Sequence, residues 1–192
     1  MPHTVAILLF EDVELLDFAG PHEVFSVAGR DGTFEVYTVA EQTEPLRTRG
    51  GLTVVPDRSL EALGTPDVFV IPGGQGARTA MRSTPVLDAV REASATADVV
   101  LSVCTGAFIL AAADLLDECR ATTHHSVLDD LADLAPNTEV VTNQRFVDNG
   151  PIVTAAGISA GIDAALHVVE RLEGRSLAET TARHMEYTRT DW

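Results

Sequence analysis

Lysine is absent from this chain of 192 residues, and all 13 basic side chains are arginine. Schiff-base catalysis and Walker-type phosphate loops both need a lysine amine, so both are excluded. Positive charge is scarce as well: 29 acidic residues against 13 basic give a formal net charge of −16. Such a surface repels phosphate backbones and anionic headgroups, so neither nucleic acid nor a membrane is an expected partner. An acidic, lysine-free surface suits a high-salt cytoplasm, while arginine-rich codon usage in a high-GC genome yields the same composition; the sequence leaves both open. Cysteine is limited to Cys104 and Cys119, which stand in different local contexts and read as two free thiols. No HxxxH or CxxC pattern occurs, so no metal site is expected. The start, "MPHTVAILLFEDVELLD", has no basic opening or small-residue cleavage site, and Glu11, Asp12 and Glu14 interrupt its apolar run. Neither a signal peptide nor a spanning helix is expected, and the cytoplasm is the expected compartment.

What is present is 45% apolar residues, enough for a full core in a single domain over residues 1–192. Short apolar runs alternate with helical patterns, which predicts an α/β fold with a doubly wound, mostly parallel sheet covered on both faces. Strands are expected at 4–10, 34–40, 67–72 and 98–103. Helices are expected at 21–29 and 85–95, each opened by proline, and at 107–116, 126–134 and 158–174. A hairpin turning at Asn149-Gly150 and a ribbon over 47–56 complete the pattern. Thr123 or Ser126 is the expected cap of the helix near 126, and "TARHMEYTRTDW" reads as a polar surface helix or tail.

In open parallel sheets, ligands bind beyond the carboxyl ends of the strands. Three segments meet that condition. Cys104 ends "DVVLSV" and precedes Thr105 and Gly106, a strand–turn–helix junction with the logic of a nucleophile elbow. The following helix end is expected to hold its pKa below the ~8.5 of a free thiol. A buried structural cysteine is the alternative. "VIPGGQGAR" places Gly73, Gly74 and Gly76 at another strand end, where exposed amides stabilise developing anions; tight turns also need glycine. "VELLDFAGPHEVF" carries Asp17 just past the first strand, placed to donate a proton to a ligand beside Cys104, with a solvated loop aspartate as the alternative. Glu23 is expected to face solvent. Among the histidines, His124 or His125 is placed to approach the cysteine as a base, or simply to stand exposed.

Taken together, "LLDFAGPHEVF", "VIPGGQGAR", "SVCTGAF", "ATTHHSV" and "TAAGISAGIDAAL" resemble the ThiJ/PfpI superfamily, which is glutamine amidotransferase-like, and within it the isonitrile hydratase branch. The match runs from about residue 4 to about residue 175. The resemblance implies a flavodoxin-like fold, usually a homodimer, and a cofactor-free enzyme acting on a small molecule. It carries catalytic roles onto Cys104, Asp17 and Thr105 and places Gly73, Gly74, Gly76 and His124 around the substrate. Thr105 stands where PfpI-type peptidases have histidine, which disfavours proteolysis. Asp17 stands where glyoxalase-like members have glutamate; glyoxalase-like conversion of a 2-oxoaldehyde is the second enzymatic expectation. The aspartate motif also occurs in the sensor domains of AraC-type regulators. Those carry a C-terminal helix-turn-helix region for which this sequence leaves no room, and a non-catalytic ligand or redox sensor is the third expectation.

Overall fold

The computed structural model describes residues 1–189. The strands among the described residues are, in chain order, β1 (His3–Leu8), β2 (Phe34–Ala40), β3 (Leu46–Arg47), β4 (Thr53–Val54), β5 (Arg58–Ser59), β6 (Val68–Ile71), β7 (Val99–Val103), β8 (Arg120–Ala121), β9 (Glu139–Val140), β10 (Phe146–Asp148) and β11 (Ile152–Ala155). Between them lie α1 (Leu15–Ala28), α2 (Ala77–Ala80), α3 (Thr84–Ser94), α4 (Gly106–Ala112), α5 (Leu128–Leu134), α6 (Ala160–Glu173) and α7 (Arg175–His184).

Seven strands form one sheet in the order β10-β11-β7-β6-β1-β2-β5. Every pairing is parallel except β10 with β11, which turn back at Gly150 with φ +86°. Strands β6 and β7 are buried throughout, as four and five consecutive apolar-rich residues in a sheet covered on both faces must be. One core lies between the sheet and α1, α6 and α7, built on Val5, Phe25, Leu101 and Leu166. The other lies under α2 to α5 and gathers Leu8, Phe69, Ile71 and Leu110. This is the doubly wound architecture expected from the alternation, and the flavodoxin-like fold that the resemblance implies. No helix among the described residues is long and apolar enough to cross a membrane.

Several local expectations need correction. Pro21 does not open its helix: α1 starts at Leu15 and carries Pro21 in its interior. Proline has no N–H to offer the carbonyl four residues earlier, so the backbone oxygen freed is that of Asp17. The helix expected over 107–116 stops at Ala112, since Asp114 takes φ +61° and turns the chain. Neither Thr123 nor Ser126 caps the turn near 126; the His124 side chain accepts the Ser126 N–H instead. The tail is helical through His184 with Thr181 and Ala182 buried, and its last three residues lie outside the described residues.

Candidate active site

The central strands β11, β7, β6 and β1 are neighbours, so the loops leaving their carboxyl ends converge. Cys104 follows β7 directly and adopts φ +56°, a conformation that costs a non-glycine residue energy and persists only where the surroundings enforce it. The enforcement is visible. The Cys104 N–H donates to the carbonyls of Ala155 (3.1 Å) and Ala156 (3.0 Å), and its own carbonyl accepts the Thr123 hydroxyl at 2.7 Å. Gly106 makes the sharp turn possible, because a Cβ there would stand 2.0 Å from the Ile71 carbonyl oxygen. The thiol ends 7% exposed at the floor of a cavity of about 580 Å³.

Asp17 approaches Cys104 from the first turn of α1, inside the helix rather than in the loop before it; it is fully buried and lies beneath the residues that line the cavity. The Gly73 N–H donates to its Oδ2 at 3.0 Å, and the carboxyl group faces the Cys104 thiol. The approach demands glycine: a Cβ on Gly73 would stand 2.5 Å from the Thr105 nitrogen and 2.9 Å from Asp17 Oδ2. Thr105 locks the other side, its hydroxyl accepting the Gly74 N–H at 2.9 Å and lying 3.1 Å from the Gly74 carbonyl. The Glu14 N–H donates to the Gly73 carbonyl at 2.9 Å, which ties the start of α1 to the glycine loop.

Burial pushes the Asp17 carboxyl from 3.8 up to about 7; the Gly73 N–H opposes this, Glu14 adds to it, and the neighbouring Cys104 thiol opposes it. The expected lowering of Cys104 is overturned. Burial, then the charge of Asp17, push its thiol up to about 12, against the N–H groups of Thr105 and Ile158. Helix α4 has only seven residues, and its dipole does not outweigh a desolvated thiol facing a carboxylate. The two groups therefore control one another: a thiolate is favoured only once Asp17 holds the proton.

Gly74 and His124 line the cavity, whereas Gly73 lies beneath it. Gly76 is not in the lining. It is pressed against the Glu11 carbonyl and its N–H donates to the Asp12 carbonyl at 3.2 Å. His124 is lowered by burial and by the adjacent His125 and Arg49, its Nδ1 lies 2.8 Å from the Ser126 hydroxyl, and its ring stands 4.3 Å from that of His125. Of the two histidines only His124 faces the cavity. Glu23 is exposed on α1, as expected. Sequence reasoning missed Ile158, which lines the cavity at φ +50°, and the charged rim of Glu14, Arg49 and Arg78. A β-branched residue in that conformation has no local signal. The three charges come from separate segments, Glu14 just before α1, Arg49 on the β3–β4 turn and Arg78 in α2, which only the tertiary structure brings together.

A strained cysteine on a strand-to-helix elbow, faced by a buried acid from the first helix, defines a class of α/β protein. Residues 3–171 match the DJ-1/PfpI family, and the chain belongs to it. It is 35% identical to isonitrile hydratase of Pseudomonas putida over 183 residues, covering 95% of this chain and 78% of that protein. It is 30% identical to the HTH-type transcriptional regulator CdhR of Pseudomonas aeruginosa, matching 89% of this chain but 51% of the regulator. Among solved structures, a ThiJ/PfpI family protein from Pseudomonas syringae aligns over 100% of this chain and 78% of its own, with a TM-score of 0.90 and 29% identity.

Proposed function

We propose that the protein hydrates a small isonitrile, R–N≡C, to an N-substituted formamide without a cofactor. The observation that carries this reading is the buried Asp17 beside Cys104, with a pKa raised to about 7. Isonitrile carbon must gain both a nucleophile and a proton, and a carboxyl group that titrates near neutrality can supply the proton. Asp17 first takes the proton of the Cys104 thiol. The thiolate attacks the terminal carbon, and Asp17 returns the proton to that carbon, giving a thioimidate, R–N=CH–S–Cys. Water then adds to the same carbon as Asp17 takes a proton from it and passes it to nitrogen. Collapse of the adduct breaks the C–S bond, the hydroxyl proton returns to sulfur through Asp17, and R–NH–CHO leaves. Thr105 is a positioning residue, fixing the Gly74 amide at the cavity floor.

The identity to isonitrile hydratase supports this activity, and the likeness to CdhR favours a second reading, ligand sensing without turnover. Mixing the purified protein with an alkyl isonitrile and with methylglyoxal, and following products by NMR, separates the readings. Formamide supports hydration, hydroxyacid the glyoxalase-like expectation, and neither product a sensor. A homodimer belongs to the same proposal, with Leu15 and Leu16 exposed on α1 as apolar surface for it to cover. Light scattering that gives a monomer mass at both low and molar salt removes the dimer.

A further inference from the structure

We infer that the cavity over Cys104 recognises an anionic substrate, a small molecule carrying a carboxylate a few atoms from the reacting carbon, and that Arg49 is the residue that selects it. The inference rests on the reading of Cys104 as the nucleophile facing this cavity and names the substrate class for it.

The first observation is a charge reversed against its background. The whole chain carries a net charge of −16, yet the cavity rim holds the guanidinium groups of Arg49 and Arg78 against the single carboxylate of Glu14. A strongly acidic protein repels anions at long range, so retaining one requires local positive charge.

The second observation is that Arg49 is unspent. Its neighbour Arg47 is occupied, donating from Nη2 to the Gly51 carbonyl at 3.1 Å. Arg78 lies 4.0 Å from Asp130 and over the Phe108 ring. The Arg49 guanidinium has neither hydrogen-bond nor ion-pair partner among the described residues, and Glu14 on the same rim is not paired with it. A guanidinium presents a planar fork of donors that matches a carboxylate, and an exposed cavity leaves that fork available to a ligand.

The third observation is rigidity. The backbone N–H of Arg49 donates to the Val13 carbonyl at 3.0 Å, and the Asp12 N–H donates to the Arg47 carbonyl at 2.8 Å. The Thr48 N–H donates to the Leu52 carbonyl at 2.8 Å, closing the turn, with Thr48 itself buried. The turn that carries Arg49 is thus nailed to the segment that leads into Asp17. The side chain is exposed, and its anchor is fixed relative to the reacting pair, which is what recognition of one substituent at a set distance needs.

The test compares reagents differing only in charge. Cys104 is alkylated with iodoacetate and with iodoacetamide, each in wild type, Arg49→Gln and Arg49→Lys, with Cys119 in the same sample as reference. The iodoacetate-to-iodoacetamide rate ratio at Cys104 should fall about three- to tenfold in Arg49→Gln and be partly kept in Arg49→Lys, with the difference shrinking at high salt. An unchanged ratio in Arg49→Gln overturns the inference. If Cys104 resists both reagents, butanoate against butanamide binding, read from the His124 ring resonances, makes the same comparison: butanoate must bind more tightly, and only in proteins with a cation at position 49. In parallel, an isonitrile bearing a carboxylate and its carboxamide analogue are offered as substrates, with the kcat/KM preference for the carboxylate expected to collapse in Arg49→Gln. A ratio that falls while neither isonitrile is hydrated leaves anion recognition standing and removes the hydration reading alone.

Discussion

The two cysteines make a controlled comparison within one molecule. Each sits in or beside a residue with positive φ, and each has its thiol pushed up first by burial and then by a nearby aspartate, Asp17 for Cys104 and Asp117 for Cys119. The difference lies in where strain and charge come from. At Cys119 the positive φ belongs to the preceding Glu118, and Asp117 is an exposed neighbour along the chain. At Cys104 the cysteine itself is strained, and the aspartate arrives fully buried from another element, held by the amide of a third loop. Water screens Asp117, while nothing of comparable polarity screens Asp17, so only the second pair is strongly coupled. The candidate site is distinguished from the other cysteine by convergence of elements, not by the local residues.

Removing each sulfur separates the two sites most sharply. Cys104→Ala should abolish formamide production, since no other nucleophile stands at the elbow, whereas Cys119→Ala should stay within about twofold of wild type. Turnover assays on both variants check this. Breaking the elbow without touching sulfur is the next largest effect. Gly106→Ala forces a Cβ onto the Ile71 carbonyl and should cost about 3 kcal/mol or more in urea unfolding, because backbone rather than a pliable side chain must yield.

Asp17→Asn keeps the shape and removes the transferable proton, so formamide production should fall by ~10²-fold, read in the same NMR assay. The same variant carries a stability signature. The Asp17 pKa is raised on folding, from 3.8 to about 7, so the folded protein holds an extra proton across that window and loses stability as pH rises through it. The asparagine variant has no charge to bury. Its melting temperature relative to wild type should climb between pH 4 and pH 8, by the equivalent of roughly 2–4 kcal/mol. The smallest effect concerns the surface common to both cysteines: under the high-salt explanation of the acidic composition, molar salt should raise the melting temperature, and an unchanged value returns the explanation to codon usage.

Much of this site was legible in the sequence, because strand ends announce themselves. An apolar run that stops at Cys104 and is followed by glycine fixes an elbow, and the order of such runs fixes a parallel sheet with its ligand edge. Asp17 was legible as a neighbour of Cys104 but not as a helical residue, since Pro21 inside α1 imitates a helix start. Thr123 was legible only as a cap, yet its hydroxyl braces the strained Cys104 carbonyl across 19 residues. The direction of the Cys104 shift was not legible at all. Helix-end placement is local and argues downward, whereas burial and the facing carboxylate are tertiary and argue upward. Arg49 and Ile158 belong with these: Ile158 follows β11 at the edge beside β7, and the β3–β4 turn carrying Arg49 reaches the site only through backbone hydrogen bonds to Asp12 and Val13.

The central claim is that Asp17 governs ionisation of Cys104, and it is tested without any substrate by the pH dependence of Cys104 alkylation by iodoacetamide. In wild type the rate should keep rising far into the alkaline range, as a thiol pushed up to about 12 requires. In Asp17→Asn the profile should move down by about one pH unit or more, making Cys104 faster to alkylate at pH 8 even as turnover is lost, while Cys119 is unmoved. Superimposable Cys104 profiles in the two proteins would contradict the account.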